Sequence, residues 1–253
     1  MTDDLPTGTR PRPRRRGPGW VPNQHGAWAM LASPLLVGVI AGGWAWVDLP
    51  LAAFWFVGYF AFFATGLWLK AGRRTKWLPP VRAYGVAAVL LGGLVAVLRP
   101  DLLPWAPAFV LPLGVGLRAA AHRRERDLLA GLATVAGSSL MTVVAFDAGA
   151  DSADLTRGWL LGLVQLLYFA GTVFYVKTVI RERDNPVFLR LSIGLHAVAA
   201  LALWPVSPWL TAVFALLTLR AAAVPPRRPT PRQVGIGEIL STVVVAVVSL
   251  LVI

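Results

Sequence analysis

The sequence predicts an all-α membrane protein, a polytopic helical bundle of about nine transmembrane helices with a cytoplasmic N-terminus. Of its 253 residues, 57% are apolar and only 14% are charged, whereas soluble domains carry about 25% charged residues. The apolar residues fall into runs close to the ~20 residues that a helix needs to cross ~30 Å of hydrocarbon. We therefore expect a single transmembrane domain over residues 20–253.

Nine apolar segments follow one another along the chain. They lie at 25–46, 51–69, 80–98, 102–120, 128–146, 156–180, 187–204, 208–223 and 234–253. The short seventh and eighth segments are predicted to form a helical hairpin. Residue types that favour helix starts agree with these boundaries; they are Asp48, Asp101, Thr156, Asn185 and Ser207.

The fourth segment is interrupted by prolines. Pro107 and Pro112 predict either a kinked or broken helix or a helix that begins later, near Pro107. A break of this kind inside a membrane protein is compatible with the lining of a cavity. The residue pattern leaves both alternatives open.

The N-terminal residues 1–19 are rich in arginine and proline and contain no apolar face. We expect a disordered cytoplasmic tail, because such a segment cannot bury enough apolar surface to fold. Its arginines are explained either as a topology signal or as a binding site for anionic lipid headgroups.

Basic residues are distributed very unevenly between the loops. Apart from Arg99 and Arg157, all of them fall in the tail or in the even-numbered loops. The positive-inside rule then places the N-terminus and these loops in the cytoplasm and the C-terminus outside. The net charge of +12 is therefore attributed to topology and not to nucleic-acid binding. The preference for arginine over lysine, with abundant alanine, glycine and proline, suggests a bacterial genome and hence the bacterial plasma membrane.

Several kinds of chemistry have no support in the sequence. The chain contains no cysteine, which excludes disulfides, thiolate metal sites and cysteine nucleophiles. His25, His122 and His196 are far apart in sequence and show no metal-ligand spacing. We therefore predict no metal site from the residue pattern.

The tetrapeptide RERD occurs twice in the cytoplasmic loops, at residues 124–127 and 181–184. Carboxylates at a helix start interact favourably with the helix dipole, which is the structural explanation. The functional hypothesis is that the two loops bind a phosphate or diphosphate, either directly or through Mg²⁺. The candidate residues are Arg124, Glu125, Asp127, Arg181, Glu182 and Asp184.

Two predicted helices also carry polar stripes at helical spacing. Span five has Gly131, Thr134, Ser138 and Thr142 after Asp127, and span six has Gln165, Tyr168, Thr172 and Tyr175. Close helix packing explains such stripes, and a polar cavity lining is the alternative. From this set Tyr168 and Thr172 are candidate ligand-binding residues.

Three ionisable residues fall within the apolar runs. His196 is near the middle of span seven, where an ionisable group is a functional hypothesis by default. Glu238 either snorkels or pairs with a cytoplasmic arginine. Lys177, at the inner end of span six, is expected to snorkel and is a further candidate for the pocket.

The stretch PNQHGAWAM precedes the first apolar run and contributes Gln24, His25 and Trp28. These residues either cap and anchor the first helix or form one wall of a cytoplasmic-side pocket. The second loop contributes Lys70, Arg73 and Arg74 to the same predicted pocket. Whether these groups and both RERD loops share one pocket is a question of geometry.

Three segments resemble the YwiC-like family of bacterial membrane proteins. They are QHGAWAM with the following prolines and glycines (24–38), RERDLLAGLATVAGSSLM (124–141) and YFAGTVFYVKTVIRER (168–183). The resemblance extends over most of the chain. It implies a multi-pass bacterial membrane protein and carries no assigned biochemical activity.

The chain is also similar in architecture to the UbiA-type prenyltransferases, which have nine spans and a cytoplasmic N-terminus. That resemblance implies a UbiA-like helix arrangement, and it implies Mg²⁺ as cofactor if the chemistry is shared. Glu182 and Asp184 stand in the loop where the family has its second Asp-rich motif. The loop after span two, LKAGRRTKWLPPVR, contains no acidic residue, so the first Asp-rich motif is absent.

Three functions follow as hypotheses. The leading one is a cytoplasmic-side basic pocket that binds an anionic amphiphile of isoprenoid or phospholipid type. The first alternative is a divergent UbiA-like prenyltransferase, and the second is a small-solute transporter. The lipid bilayer is the expected partner in each case, and the residue pattern identifies neither a catalytic residue nor a cofactor.

Overall fold

A computed structural model of the chain describes residues 19–22 and 25–253, with residues 25 and 26 described by their backbone alone. The predicted tail at residues 1–19 therefore lies outside the described residues except for Gly19. Gln24 and the side chain of His25 also lie outside them.

Nine α-helices form the described part of the chain, which contains no strand. They are α1 (His25–Gly42), α2 (Asp48–Lys70), α3 (Leu78–Leu98), α4 (Ala106–Ala121), α5 (Leu128–Ala148), α6 (Leu155–Ile180), α7 (Pro186–Leu203), α8 (Pro208–Ala223) and α9 (Pro231–Val252). Short 3₁₀ turns occupy Thr75–Trp77, Pro100–Trp105 and Pro225–Arg227. The predicted fold class is confirmed, and each predicted segment corresponds to one helix.

Seven of these helices are long and apolar enough to cross a membrane, counting α3 and α4 with the 3₁₀ turns that precede them. Helices α1 and α8 are apolar but shorter. The 16 residues of α8 extend only about 24 Å, less than the ~30 Å thickness of the hydrocarbon core. The chain is thus a multi-pass membrane protein.

The fourth segment begins its α-helix late, which decides between the two alternatives offered by its prolines. Residues Pro100–Trp105 form a 3₁₀ turn, and α4 starts at Ala106 with Pro107 in its first turn. Proline is well tolerated there because the first amides of a helix have no partner within the helix. Pro112 lies inside α4.

Polar side chains cap several helix starts. Asn185 and Ser207 cap α7 and α8, as their sequence position predicts. The predicted start signal at Thr156 is off by two residues, since the cap of α6 is Asp154, whose carboxylate accepts the Thr156 amide. This hydrogen bond lowers the pKa of Asp154, because it stabilises the charged carboxylate.

Helices α1, α5 and α6 form the centre of the bundle. Helices α2, α3 and α4 pack on the α5 side, α7 and α8 pack on the α6 side, and α9 lies against α1 and α6. Burial decreases from the centre of the bundle outward. Of the apolar stretch of α5, 56% is buried, but only 6% is buried in the stretch that contains α3. Helix α3 therefore presents most of its surface to lipid.

Candidate functional site

The loops α2–α3, α4–α5, α6–α7 and α8–α9, together with the helix ends beside them, carry most of the basic residues and are called the basic end of the bundle. Here Lys70, the last residue of α2, forms an ion pair with Glu125 of the first RERD loop. Within that loop Arg124 pairs with Asp127 at 2.6 Å. Four candidate side chains thus form two ion pairs, which hold the loop against α2 and the start of α5.

The environment of Glu125 explains its charge state. Partial burial raises the pKa of this carboxyl group, but the hydrogen bond and charge of Lys70, a backbone hydrogen bond and the charge of Arg126 together lower it by more. The net effect is a pKa below the usual value of a glutamate, so Glu125 is ionised at neutral pH and remains available to Lys70.

Lys177 links the two RERD loops. Its Nζ donates to the carbonyl oxygen of Arg126 at 2.8 Å. The carbonyl oxygen of Lys177 in turn accepts the amides of Arg181 and Glu182, both at 2.8 Å. The two loops therefore meet around the last turns of α6.

The second RERD loop is fixed mainly by the α8–α9 loop. Asp184 lies 3.3 Å from Arg228, and both side chains are largely exposed. Glu182 accepts a hydrogen bond of 3.0 Å from Asn185, which caps α7. Residues 180–186 line a shallow, open hollow at this position.

These contacts do not fit the Mg²⁺ site that the UbiA-type resemblance implies. Glu182 and Asp184 are each bound to another residue. In the described ranges, no three histidine or acidic side chains are close enough to hold a metal ion.

The α2–α3 loop presents cations without acidic partners. Arg73 has a positive φ of 60°, and its guanidinium lies 6.0 Å from the ring centre of Trp68. Arg74 and Lys76 are exposed. None of the three basic residues forms an ion pair with any part of the chain that the structure describes.

Trp28 lies in an aromatic cluster between α1 and α2. Its ring centre is 6.5 Å from Phe56, 6.4 Å from Tyr59 and 6.0 Å from Phe60. It thus packs on α2, and no contact between its ring and the RERD loops is recorded among the described residues. Since the side chain of His25 is not described, a shared wall of Gln24, His25 and Trp28 stays a prediction.

A second group of polar residues lies inside the bundle, where α6, α8 and α9 meet. Thr172 donates to Oε2 of Glu238 at 2.8 Å. The hydroxyl of Tyr168 lies 3.2 Å from the same oxygen and 3.0 Å from the hydroxyl of Thr242. Two of the three site candidates of span six, Tyr168 and Thr172, thus contact an acid of α9.

Arg220 completes this group from the last turn of α8. Its Nη2 lies 2.8 Å from Oε1 of Glu238, and Nη1 donates to the hydroxyl of Ser241 at 2.8 Å. The guanidinium also lies over the ring of Tyr175, at 4.3 Å from its centre. We call Tyr168, Thr172, Tyr175, Arg220, Glu238, Ser241 and Thr242 the intramembrane cluster.

The sequence pattern points to only part of this cluster. Pairing of Glu238 with a basic-end arginine is one of its two predicted environments, and the structure shows that pairing. Arg220 counts only as a topology signal in the sequence, although it stands at the end of an apolar run. The partner could not be identified, because the contact depends on how α8 and α9 are rotated toward each other.

His196 lies close to α6. Its side chain is buried, and Nδ1 is 2.7 Å from the carbonyl oxygen of Ser192 one turn earlier. A Cβ on Gly171 would come 2.7 Å from Nε2, so the imidazole occupies the space that this glycine leaves open. Nε2 has no hydrogen-bond partner among the described residues.

The two predicted polar stripes bind different neighbours. Ser138 of α5 donates to the carbonyl oxygen of Met30 in α1. Gln165 of α6 accepts from Ser33 of α1 at 3.2 Å, while Tyr168 and Thr172 reach α9. No hydrogen bond joins the stripes of α5 and α6 to each other in the part of the chain described.

Comparison with known proteins gives a consistent result. The sequence model of the YwiC-like protein family matches residues 21–146. The uncharacterized protein YwiC of Bacillus subtilis is 32% identical over 195 residues, which is 77% of either chain. An uncharacterized protein of Haemophilus influenzae is 25% identical over 228 residues, 88% of this chain and 94% of the relative. No solved structure matches.

Proposed function

The chain belongs to the YwiC-like family, and from this premise we propose that its basic end binds the anionic headgroup of an amphiphile of isoprenoid or phospholipid type. The bilayer concerned is the bacterial plasma membrane, with the basic end toward the cytoplasm. The observation that carries the proposal is the surplus of exposed cations that remain free around the two linked RERD loops.

The basic end contains more basic side chains than its ion pairs use. Lys70 and Arg124 are paired, but several neighbouring cations form no ion pair in the described ranges; they are Arg73, Arg74, Lys76, Arg123, Arg126 and Arg181. The acids nearby are already bound to Lys70, Arg124, Arg228 and Asn185. The loops therefore offer positive charge without competing carboxylates.

Phosphate chemistry suits this surface. Guanidinium groups bind phosphate oxygens through charge-assisted and often bidentate hydrogen bonds. Basic residues at a membrane surface gain roughly 1 kcal/mol each from anionic lipid. Arg181 lines the hollow at 180–186, where a headgroup could approach from the bilayer edge while its apolar chain stays in lipid.

A binding experiment on the purified protein tests this proposal. Labelled farnesyl diphosphate and vesicles containing phosphatidylglycerol serve as probes, and saturable binding is expected for one of them. The double variant Arg126→Ala/Arg181→Ala should weaken that binding about 10- to 30-fold, since two cations at roughly 1 kcal/mol each are removed.

The matched control is Arg227→Ala/Arg232→Ala, which removes the same charge from the α8–α9 loop and the first turn of α9, outside the α2–α3 loop and the two RERD loops that carry the unpaired cations. This variant should bind within about twofold of the wild type. Absence of saturable binding, or an equal loss in both double variants, would show that the cations act only as topology signals.

A further inference from the structure

The ion pair between Arg220 and Glu238 lies within the apolar length of two helices. Glu238 is about 10 Å along α9 from its first residue, Pro231, and Arg220 stands in the last turn of α8. The side chains are only 18% and 13% exposed. Desolvation makes a charged pair at such a position costly, and an ionisable group inside a membrane-spanning bundle is a functional hypothesis by default.

The surroundings of the pair open toward the bilayer. Helix α8 packs far more closely on α7 than on α9. Beside Glu238, Cβ atoms placed on Gly235 and Gly237 would meet no atom within 4 Å. Apolar side chains next to the pair in sequence face outward, with Leu219 64% and Ile239 59% exposed. The seam between α8 and α9 is therefore accessible from lipid.

Arg220 has unused capacity to bind an anion. Its Nη1 donates to Ser241 and its Nη2 lies 2.8 Å from Oε1 of Glu238, but neither Nη2 nor the buried Nε has a hydrogen-bond partner among the described residues. The ring of Tyr175 holds the guanidinium plane in place. A fixed, planar guanidinium matches two oxygens of a phosphate group.

We propose that Arg220 binds the phosphate group of an amphiphile that enters between α8 and α9, and that Glu238 is the internal anion which this phosphate displaces. This inference rests on the proposed function for the class of ligand, but it assigns a different site. On displacement the Glu238 carboxylate takes up one proton and becomes a neutral acid. One proton is thus bound for each Glu238 carboxylate that is displaced, whatever the charge of the phosphate that replaces it.

The groups around Glu238 are compatible with this exchange. Helix α6 brings Tyr168 and Tyr175 toward it, and α8 brings Arg220. Helix α7 contributes His196, whose Nε2 lies against α6. Helix α1 carries no titratable side chain after residue 25. No second acid of the cluster competes for the proton.

The test compares two probes on the full-length protein. Farnesyl phosphate in detergent micelles represents the lipid-borne phosphate, and inorganic phosphate represents the free anion. Arg220→Gln should abolish farnesyl phosphate binding. Glu238→Gln should tighten it about tenfold, because the competing internal anion is removed and the binding-competent fraction rises. Asp101→Asn, in the exposed outer pair with Arg99, is the matched control and should change nothing.

Proton uptake gives an independent readout. In weakly buffered solution the wild type should take up about one proton per bound farnesyl phosphate, and Glu238→Gln should take up none. Should Arg220→Gln fail to fold, Arg220→Lys keeps the positive charge but not the planar fork, and its binding should still be weakened.

The binding measurements distinguish the Arg220 site from the loop site. Unchanged binding in both Arg220 variants, no gain in Glu238→Gln, or equal occupancy of the site by inorganic phosphate would overturn it. If binding depends on Arg126 and Arg181 but not on Arg220, this inference fails and the proposed function stands. If binding depends on Arg220 and not on the loop arginines, the proposed loop site fails and the intramembrane site stands.

Discussion

Glycines in α1 and α3 have contrasting surroundings, although both helices are apolar. A Cβ on Gly38 would lie 2.7 Å from the Cβ of Ala145 and 3.0 Å from the amide nitrogen of Phe146. A Cβ on Gly93, within α3, would meet no atom within 4 Å. Gly38 thus permits the close contact of α1 and α5, as small residues do in membrane helices.

The substitution Gly38→Ala should therefore destabilise the protein by about 1–3 kcal/mol, because backbone atoms of α5 would have to move. The substitution Gly93→Ala should be neutral or stabilising by up to about 1 kcal/mol, since alanine favours the helix and nothing obstructs its methyl group. Unfolding of both variants in detergent measures the difference. A loss of equal size in Gly93→Ala would contradict the assigned packing.

Single residues also show what separates Glu125 from Glu238. Both are acids near arginine-rich loops, and both form an ion pair in the structure. Glu125 is at the surface with Lys70, where such pairs contribute about 0–1 kcal/mol. Glu238 is enclosed by Tyr168 and Thr172, where removal of one partner leaves a buried charge.

At the scale of elements, Arg99 joins the end of α3 to the end of α5. Its guanidinium donates to the carbonyl oxygens of Ala148 at 2.6 Å and Asp147 at 2.9 Å. Carbonyls at a helix C-terminus have no partner within the helix, and a cation there also interacts favourably with the helix dipole. Arg99 thus has a structural role that explains its position outside the basic end.

We expect Arg99→Ala to destabilise the protein by about 1–3 kcal/mol, because two partly buried carbonyls lose a charged donor. The matched control is Arg157→Ala, since Arg157 is the other basic residue of this side and donates only one longer bond, 3.3 Å to Ala41. Its loss should cost less than about 1 kcal/mol. Equal unfolding midpoints for both variants would argue against a capping role of Arg99.

Helix limits were predicted well where local chemistry sets them and less well elsewhere. Asn185 and Ser207 act as caps because their side chains reach amides two or three residues on, a contact internal to the segment. The late start of α4 needed the structure, since Pro107 allows either a kink or a first-turn position. The cap of α6 was misplaced because Asp154 and Thr156 are both good capping residues.

At the scale of the whole molecule, the charge distribution predicts the orientation. The α2–α3 loop is on the basic end, and the α5–α6 loop, with Asp151 and Asp154, is on the opposite end of the bundle. The positive-inside rule places the first in the cytoplasm and the second outside. Because the chain has no cysteine, single introduced cysteines report the side of each loop without background.

In intact cells, Ala153→Cys should react with a membrane-impermeant maleimide, whereas Thr75→Cys should react only after the membrane is permeabilised. Both positions are exposed, so reactivity depends on the compartment and not on burial. If Thr75→Cys were labelled in intact cells and Ala153→Cys were not, the predicted orientation would be wrong, and the basic end would face outward.

The sequence by itself determined the number of helices in the described chain, their approximate limits and the segregation of basic charge. These features depend on local hydropathy and on charge counts, which need no knowledge of neighbouring helices. The family resemblance also followed from contiguous motifs.

Only the tertiary structure decided which polar groups meet. The contacts of Glu238 with Tyr168 and Thr172 join helices far apart in sequence, and its contact with Arg220 joins the last two helices. Each depends on the rotation and depth of one helix relative to another, and these are set by packing such as that of Gly38 on α5. The hydropathy of a segment does not show how its helix is rotated toward its neighbours. For that reason the intramembrane cluster could not be assembled from the sequence.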